Sequence, residues 1–128
     1  MARPRSRIRA LALNAVGLFF GLAALYHLAV VVRPSLGDGG SRLRHGVFVA
    51  VDALVALGLF ARPPLFFWVF TALALQQLQS HGGALFHEWA VMHRIDWQSV
   101  LVLLVVPLTW TLLLSEYRHR AGRSRPGV

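Results

Sequence analysis

Histidine is the residue type best placed for chemistry in this chain, because six histidines interrupt a sequence that is 56% hydrophobic. His27, His45 and His81 each stand at one end of a long apolar run. Imidazole is a common ligand of zinc, copper and iron. We predict that these three histidines meet and hold a transition metal or a haem iron, with Glu88 accepting a hydrogen bond from one of the rings. The alternative is that each histidine lies at a water boundary and bonds to headgroups, water or backbone.

Asp52 is the strongest single candidate, since it is the one carboxylate inside the second apolar run. It follows His45 by seven residues, which is close to two helical turns, so both side chains project from one face. An ionised group at the centre of a membrane helix costs roughly 2.5–3.5 kcal/mol on insertion scales and usually faces a partner or a water-filled cavity. We predict that Asp52 binds and releases a proton inside the helix bundle. The alternative is a structural hydrogen bond to Asn14 or to a glutamine of the third run.

Polar residues end the third apolar run, where Gln76, Gln77 and Gln79 precede Ser80 and His81. Side chains three or four residues apart on a helix are neighbours, so these groups cluster on the helix surface. Amides can bond to the oxygens of a cofactor such as a quinone. We therefore predict that the three glutamines contribute to cofactor binding.

The elements that must position these residues are long apolar segments, and only 14% of the residues are charged. Both values are unusual for a soluble domain and typical of a membrane protein. We predict four spans, at about 8–32, 43–61, 65–81 and 97–114, separated by turns rich in proline and glycine. Leu85, Trp89 and Met92 share a helix face, which predicts a short interfacial helix between spans three and four. The predicted fold is an all-α integral membrane protein, a single-domain four-transmembrane-helix bundle.

The basic residues are thirteen arginines, which flank the apolar runs as in membrane proteins and form no nucleic-acid-binding patch. Four spans place both termini on one side, which then holds nine arginines against four on the other. The positive-inside rule puts both termini in the cytoplasm, followed by a basic cytoplasmic tail at 115–128 of a multi-pass cell-membrane protein. The side opposite the termini is called the outer side below. The absence of cysteine excludes disulfides and thiolate ligands.

Small residues line one face of the first run, where Gly17 and Gly21 form a GxxxG pattern. Such a face lets another helix approach closely in a bilayer. We predict that it docks a protein partner or a second copy of the chain.

Three functions are consistent with this sequence. The first is a metal- or haem-binding redox component of a larger membrane complex, built on the polar cluster of the outer half. The second is a non-catalytic structural or assembly subunit, in which the polar cluster only satisfies its own hydrogen bonds. The third is a proton-coupled small-molecule carrier centred on Asp52.

Overall fold

The computed structural model describes residues 4–37 and 41–123, and within these ranges the chain is helical and contains no strand. The elements in chain order are α1 (Pro4–Val32), a short 3-10 turn (Pro34–Leu36), α2 (Arg42–Ala61), α3 (Phe66–Met92) and α4 (Trp97–Arg123). They form two compact units, Met1–Pro63 with α1 and α2, and Pro64–Val128 with α3 and α4. The all-α prediction is confirmed.

Three helical segments are long and apolar enough to cross a membrane: Arg7–Val32, Arg42–Ala61 and Trp97–Gly122. Many of their large apolar side chains are exposed, for example Leu57 at 68%. Exposed apolar faces of this extent suit contact with lipid. A fourth span is not shown, because the polar run of residues 76–81 lowers the hydropathy of α3.

The α1–α2 unit is held by close packing of the two helices. Gly17 is buried, and a Cβ atom there would lie 3.3 Å from Leu59 Cβ and 3.2 Å from the Phe60 ring. A Cβ atom at Gly21 would meet Ala56 Cβ at 4.0 Å. The small-residue face therefore permits a close approach within the chain itself, and its predicted use by a separate partner stays a prediction.

Both ends of α2 have defined caps. The Ser41 hydroxyl accepts a hydrogen bond from the Arg44 amide at 3.2 Å, which is the usual N-cap interaction. At the other end Arg62 takes a left-handed conformation with a φ of 50°, and its amide bonds to the Gly58 carbonyl at 2.8 Å. Pro63 and Pro64 lack amide hydrogens and cannot continue the helix. The predicted end of the second run is confirmed.

The predicted turn at Gly82 and Gly83 and the separate interfacial helix after it are wrong. Helix α3 continues through both glycines and ends at His93, whose φ is 52°. Glycine in a helix costs about 1 kcal/mol relative to alanine, but it keeps the amide and carbonyl that the helix needs. Good helix formers on both sides carry the hydrogen bonding across the pair. Helix α4 likewise extends beyond the predicted span, so residues 115–123 of the predicted tail are helical.

Aromatic packing joins α3 to α4 in the second unit. The Phe67 ring stacks on Tyr117 with centroids 4.9 Å apart. The Trp110 indole donates a hydrogen bond to the Thr71 hydroxyl at 3.0 Å, and that hydroxyl donates to the Phe67 carbonyl at 2.7 Å. Trp110 thus links the two helices through a polar contact.

Candidate functional site

Two histidines and one carboxylate meet between α1 and α2, and we call His27, His45 and Asp52 the α1–α2 cluster. The Nδ1 atoms of His27 and His45 are 2.9 Å apart. The Nε2 atom of His27 lies 3.8 Å from Asp52 Oδ2, an ion-pair contact rather than a hydrogen bond. His45 and Asp52 both contact His27 of α1, as their shared face on α2 predicted. The sequence analysis expected His27 to lie near His45, but it did not predict the contact between His27 and Asp52, which joins separate helices.

The proton arrangement in this cluster is restricted by its hydrogen bonding. A bond between two imidazole nitrogens requires one ring to donate and the other to accept. In one arrangement His45 donates from Nδ1 to a neutral His27, whose Nε2–H faces Asp52. In the other, His45 has passed its Nδ1 proton to His27 and carries the incoming proton on Nε2, so a doubly protonated His27 donates to His45 Nδ1 and faces the carboxylate with its second N–H. The two arrangements differ by one proton, so the cluster can bind a proton without losing either contact.

Aromatic and backbone groups enclose the cluster. His45 is only 3% exposed. The His27 ring lies 5.0 Å from the ring of Phe48 and 5.3 Å from that of Tyr26, measured between centroids. Gly37 follows the 3-10 turn, and a Cβ atom there would lie 3.6 Å from His45 Nε2 and only 2.5 Å from Val30 Cγ1. A glycine therefore lets the chain close over the His45 ring.

The opposite end of the α1–α2 unit carries a separate polar contact. The Arg62 guanidinium donates to the Ala10 carbonyl at 3.2 Å and to the Asn14 side-chain oxygen. Its Nε–H donates to the Leu59 carbonyl at 2.8 Å. Asn14 thus bonds to Arg62, so the alternative that paired Asn14 with Asp52 is wrong. The sequence suggested Arg62 only as a basic residue in a turn.

A second cluster joins α3 to the start of α4, and we call His81, Ser99 and Asp96 the α3–α4 cluster. His81 Nδ1 lies 2.9 Å from Ser99 Oγ, and the Ser99 hydroxyl donates to Asp96 Oδ2 at 2.5 Å. The other carboxylate oxygen accepts from the amides of Gln98 and Ser99, so Asp96 is the N-cap of α4. The hydrogen bond from Ser99 lowers the pKa of Asp96, and the same shift is favoured by its amide bonds and by His81.

Ser99 is the functional residue that sequence analysis missed. Its side chain is fully buried, although serine is a common surface residue. The available signal was its position three residues after the N-cap Asp96, where a hydroxyl can reach the capping carboxylate. Its contact with His81 spans two helices and is visible only in the tertiary structure.

The remaining predicted site residues lie elsewhere. Glu88 forms an ion pair with Arg94, which lowers the pKa of the Glu88 carboxyl, and its bond to a histidine ring stays a prediction. The Gln77 amide donates to the Gln76 side-chain oxygen at 2.8 Å, and Gln76 and Gln79 are exposed. A cofactor at these three glutamines stays a prediction.

Comparison of the chain with protein-family models, with curated proteins and with solved structures finds no match. The geometry of the two clusters is thus the basis for a function.

Metal binding receives no support from the residues that the structure describes. Within 4–37 and 41–123, no group of three or more His, Asp and Glu side chains is arranged to hold a metal ion. His27 and His45 belong to the first compact unit and His81 to the second. Each bonds to a neighbouring protein side chain. The three-histidine metal or haem site stays a prediction.

Proposed function

We propose that this chain is an integral membrane protein that binds and releases a proton at the α1–α2 cluster and couples that step to movement of α1 against α2. Such a step is the basis of a proton-coupled small-molecule carrier. The observation that carries the proposal is the row of contacts from Asp52 through His27 to His45 within an apolar helix pair. Ionisable side chains inside membrane spans are costly, and they commonly mark proton or substrate pathways.

The charges of the cluster suit reversible protonation. A carboxylate stabilises an imidazolium beside it, so a proton that arrives at His27 gains the attraction of Asp52. Imidazole is also the side chain whose ordinary pKa lies nearest to physiological pH. The side chains of His27 and Asp52 are only 20% and 14% exposed, which limits their exchange with water. The cluster therefore has the composition of a gated proton site.

Access to this site is one-sided within the α1–α2 unit. Beyond Asp52, the interface is formed by apolar or small side chains that are buried: Leu13, Gly17, Val55, Ala56 and Leu59. The next polar group is the contact between Arg62 and Asn14 at the far end. A proton bound at Asp52 has no polar path through this apolar segment, so a simple proton channel is disfavoured. The cluster is therefore better suited to binding a proton in a way that changes the contact between α1 and α2.

Coupling to helix movement follows from where the contacts lie. His27 belongs to α1, whereas His45 and Asp52 belong to α2, so the His27–His45 and His27–Asp52 contacts both cross the interface. Adding a proton to Asp52 removes its charge, whereas adding one to His27 strengthens the attraction. Either event changes the free energy of association between α1 and α2. Packed interfaces of this kind commonly respond by helix shifts of about 1–2 Å.

The Asp52→Asn variant tests the proposal directly. Protein in lipid nanodiscs is titrated while infrared difference spectra follow the carboxyl stretch. In parallel, spin labels on Leu22→Cys and Leu57→Cys report the distance between α1 and α2. Both positions are exposed, and the native chain contains no cysteine. We expect a carboxyl band that titrates and a distance that shifts by about 1–2 Å with pH in the unmodified protein. In Asp52→Asn the distance shift and one titrating carboxyl band should vanish, while the bands of the other four acids remain.

Glu116→Gln is the matched control, because Glu116 is an acid in a helix but pairs with Arg120 at 2.5 Å, away from the cluster. It should keep both signals. A distance between α1 and α2 that does not change with pH, or a set of titrating carboxyl bands in Asp52→Asn identical to that of the unmodified protein, would show that the cluster is only structural. That outcome favours the structural or assembly subunit. The redox-component function stays a prediction that neither signal requires.

We also propose that the chain crosses the membrane four times, with both termini in the cytoplasm. Helix α3 contains 27 residues, or about 40 Å of helix, which exceeds the roughly 30 Å hydrocarbon core. Its first half is apolar, and the polar run of residues 76–81 follows near the middle of the helix. The nine-to-four division of arginines supports the orientation.

Single cysteines distinguish four spans from three. Ser35→Cys, Ile95→Cys and His119→Cys lie in the first turn region, in the α3–α4 connection and near the end of α4, and all three positions are exposed. In intact cells we expect an impermeant thiol reagent to label positions 35 and 95 and to spare 119. Labelling of 35 and 119 with protection of 95 would mean that α3 does not cross, and labelling of 119 alone would reverse the orientation.

A further inference from the structure

We propose that Asp96, Ser99 and His81 form a proton relay, in which the Asp96 carboxylate determines through Ser99 which nitrogen of His81 carries a proton. This site belongs to the α3–α4 unit and does not depend on the α1–α2 cluster. Its function is to pass a proton between the aqueous end of α4 and the His81 ring on α3. The inference rests on a continuous row of hydrogen bonds through a buried hydroxyl.

The number of donors and acceptors on the Ser99 hydroxyl determines the direction of each hydrogen bond. A serine hydroxyl has one proton to donate and can accept from other groups. Asp96 Oδ2 is a strong acceptor at 2.5 Å, so the Ser99 proton is directed to the carboxylate. Ser99 Oγ must then accept from His81 Nδ1, which lies 2.9 Å away. The neutral His81 ring is therefore held as the Nδ1–H tautomer, and its Nε2 atom is an acceptor.

The relay step conserves protons and charge. When His81 is protonated on both nitrogens, its Nδ1–H bond breaks and the proton joins Ser99 Oγ. At the same time the original Ser99 O–H bond breaks, and that proton joins Asp96 Oδ2. The products are a neutral imidazole and a neutral carboxylic acid, with Ser99 unchanged in its proton count. Because Ser99 is fully buried, water does not compete with the protein for this hydroxyl.

Other charged groups surround the aqueous end of the relay. Glu88 on α3 and Arg94 in the connection both interact with Asp96, and His87 interacts with Glu88. Glu88 and Arg94 form an ion pair with each other, so their charges largely cancel near Asp96. The first turn of α4 adds no acidic residue. Asp96 is thus the carboxylate that acts on His81 through Ser99.

Asp96→Asn is the decisive variant because the cap requirements dictate how its amide is oriented. The oxygen at the Oδ1 position accepts two backbone amides, so asparagine places its oxygen there and its NH2 group toward Ser99. The NH2 group then donates to Ser99 Oγ, and the Ser99 proton turns to His81 Nδ1. His81 must switch to the Nε2–H tautomer. If Asp96 only capped α4, this substitution would leave the tautomer of His81 unchanged.

The measurement is nitrogen NMR at neutral pH on protein with nitrogen-15 histidine in nanodiscs, with the His81 signal assigned by its loss in His81→Gln. We expect the Nδ1–H tautomer in the unmodified protein. Asp96→Asn should shift the tautomer ratio by about fivefold or more toward Nε2–H, as loss of one hydrogen bond of ordinary strength implies. Ser99→Ala should have the same effect.

Two further variants test the relay even if Ser99→Ala disturbs folding. Ser99→Thr keeps the hydroxyl and should keep the Nδ1–H tautomer. Glu88→Gln removes a nearby carboxylate without touching Ser99 and should also leave His81 unchanged. An Nε2–H tautomer in the unmodified protein, or an Asp96→Asn variant with the native tautomer, would overturn the relay. Neither result would alter the expectations for Asp52, which lies in the other compact unit.

Discussion

Replacing Gly17 by leucine is expected to separate α1 from α2 and to lower the free energy of unfolding by about 1–3 kcal/mol, the usual cost of overpacking a tight interface. A Cβ atom at this position already lies within 3.3 Å of Leu59 and Phe60, so the rest of a leucine side chain has no space. In a bilayer the added apolar surface brings no compensating gain, since lipid is as apolar as the leucine itself. Unfolding of purified protein by SDS in bicelles, followed by circular dichroism, measures the change.

Gly21→Ala is the matched control on the same helix face. Its Cβ atom would meet Ala56 at 4.0 Å, which is an ordinary van der Waals distance, so stability should change by no more than about 0.5 kcal/mol. Gly17→Leu should also weaken the His27–His45 contact, because that bond crosses the interface that the leucine separates. If Gly17→Leu is as stable as the unmodified protein, the small-residue face does not pack on α2, and its use by an external partner becomes the better explanation.

Replacing Arg62 by methionine is expected to destabilise the α1–α2 unit by about 1–2 kcal/mol, below the full range for hydrogen bonds to a charged group because the contact with Asn14 is exposed. The guanidinium joins the end of α2 to α1 through the Ala10 carbonyl and the Asn14 side chain. Methionine retains the length of the apolar stem and is no worse suited to the left-handed backbone than arginine. The loss therefore reports the guanidinium contacts, measured by the same SDS unfolding.

Arg62→Lys separates the contact from the charge. Lysine keeps the positive charge that orients a membrane protein, but it lacks the planar fork that reaches several acceptors. We expect native orientation in the cysteine-labelling experiment and a stability between those of the arginine and methionine proteins. Full recovery of stability by lysine would mean that only the charge matters and that the bonds to α1 contribute nothing.

The helices were largely predictable because their signals are local. Long apolar runs, the capping residues Ser41 and Asp96, and the paired prolines after Arg62 act within a few residues of the element that they limit. The failures also have a local cause. Two glycines weaken a helix without ending it, and the polar run of residues 76–81 looks like a boundary although the helix continues to Met92. Composition along the chain changes there, but backbone hydrogen bonding does not.

Part of the candidate site was predictable for the same reason. The shared face of His45 and Asp52 follows from helical periodicity within α2, and both residues contact His27 in the structure. Pairing between helices was not predictable. The sequence offered Asn14, the glutamines and three histidines as partners, and no spacing rule chooses among residues on different helices. The structure pairs Asn14 with Arg62, and His81 with Ser99.

The sequence by itself determined that the protein is helical and apolar enough for membrane spans, and it determined which polar residues interrupt those helices. Periodicity, capping and hydropathy are properties of neighbouring residues, so one chain read in order contains them. Only the tertiary structure decided that Asp52 faces His27 and that Ser99 lies between His81 and Asp96. These contacts depend on the rotation and offset of one helix against another, which side-chain packing across the interface sets and which no local pattern encodes.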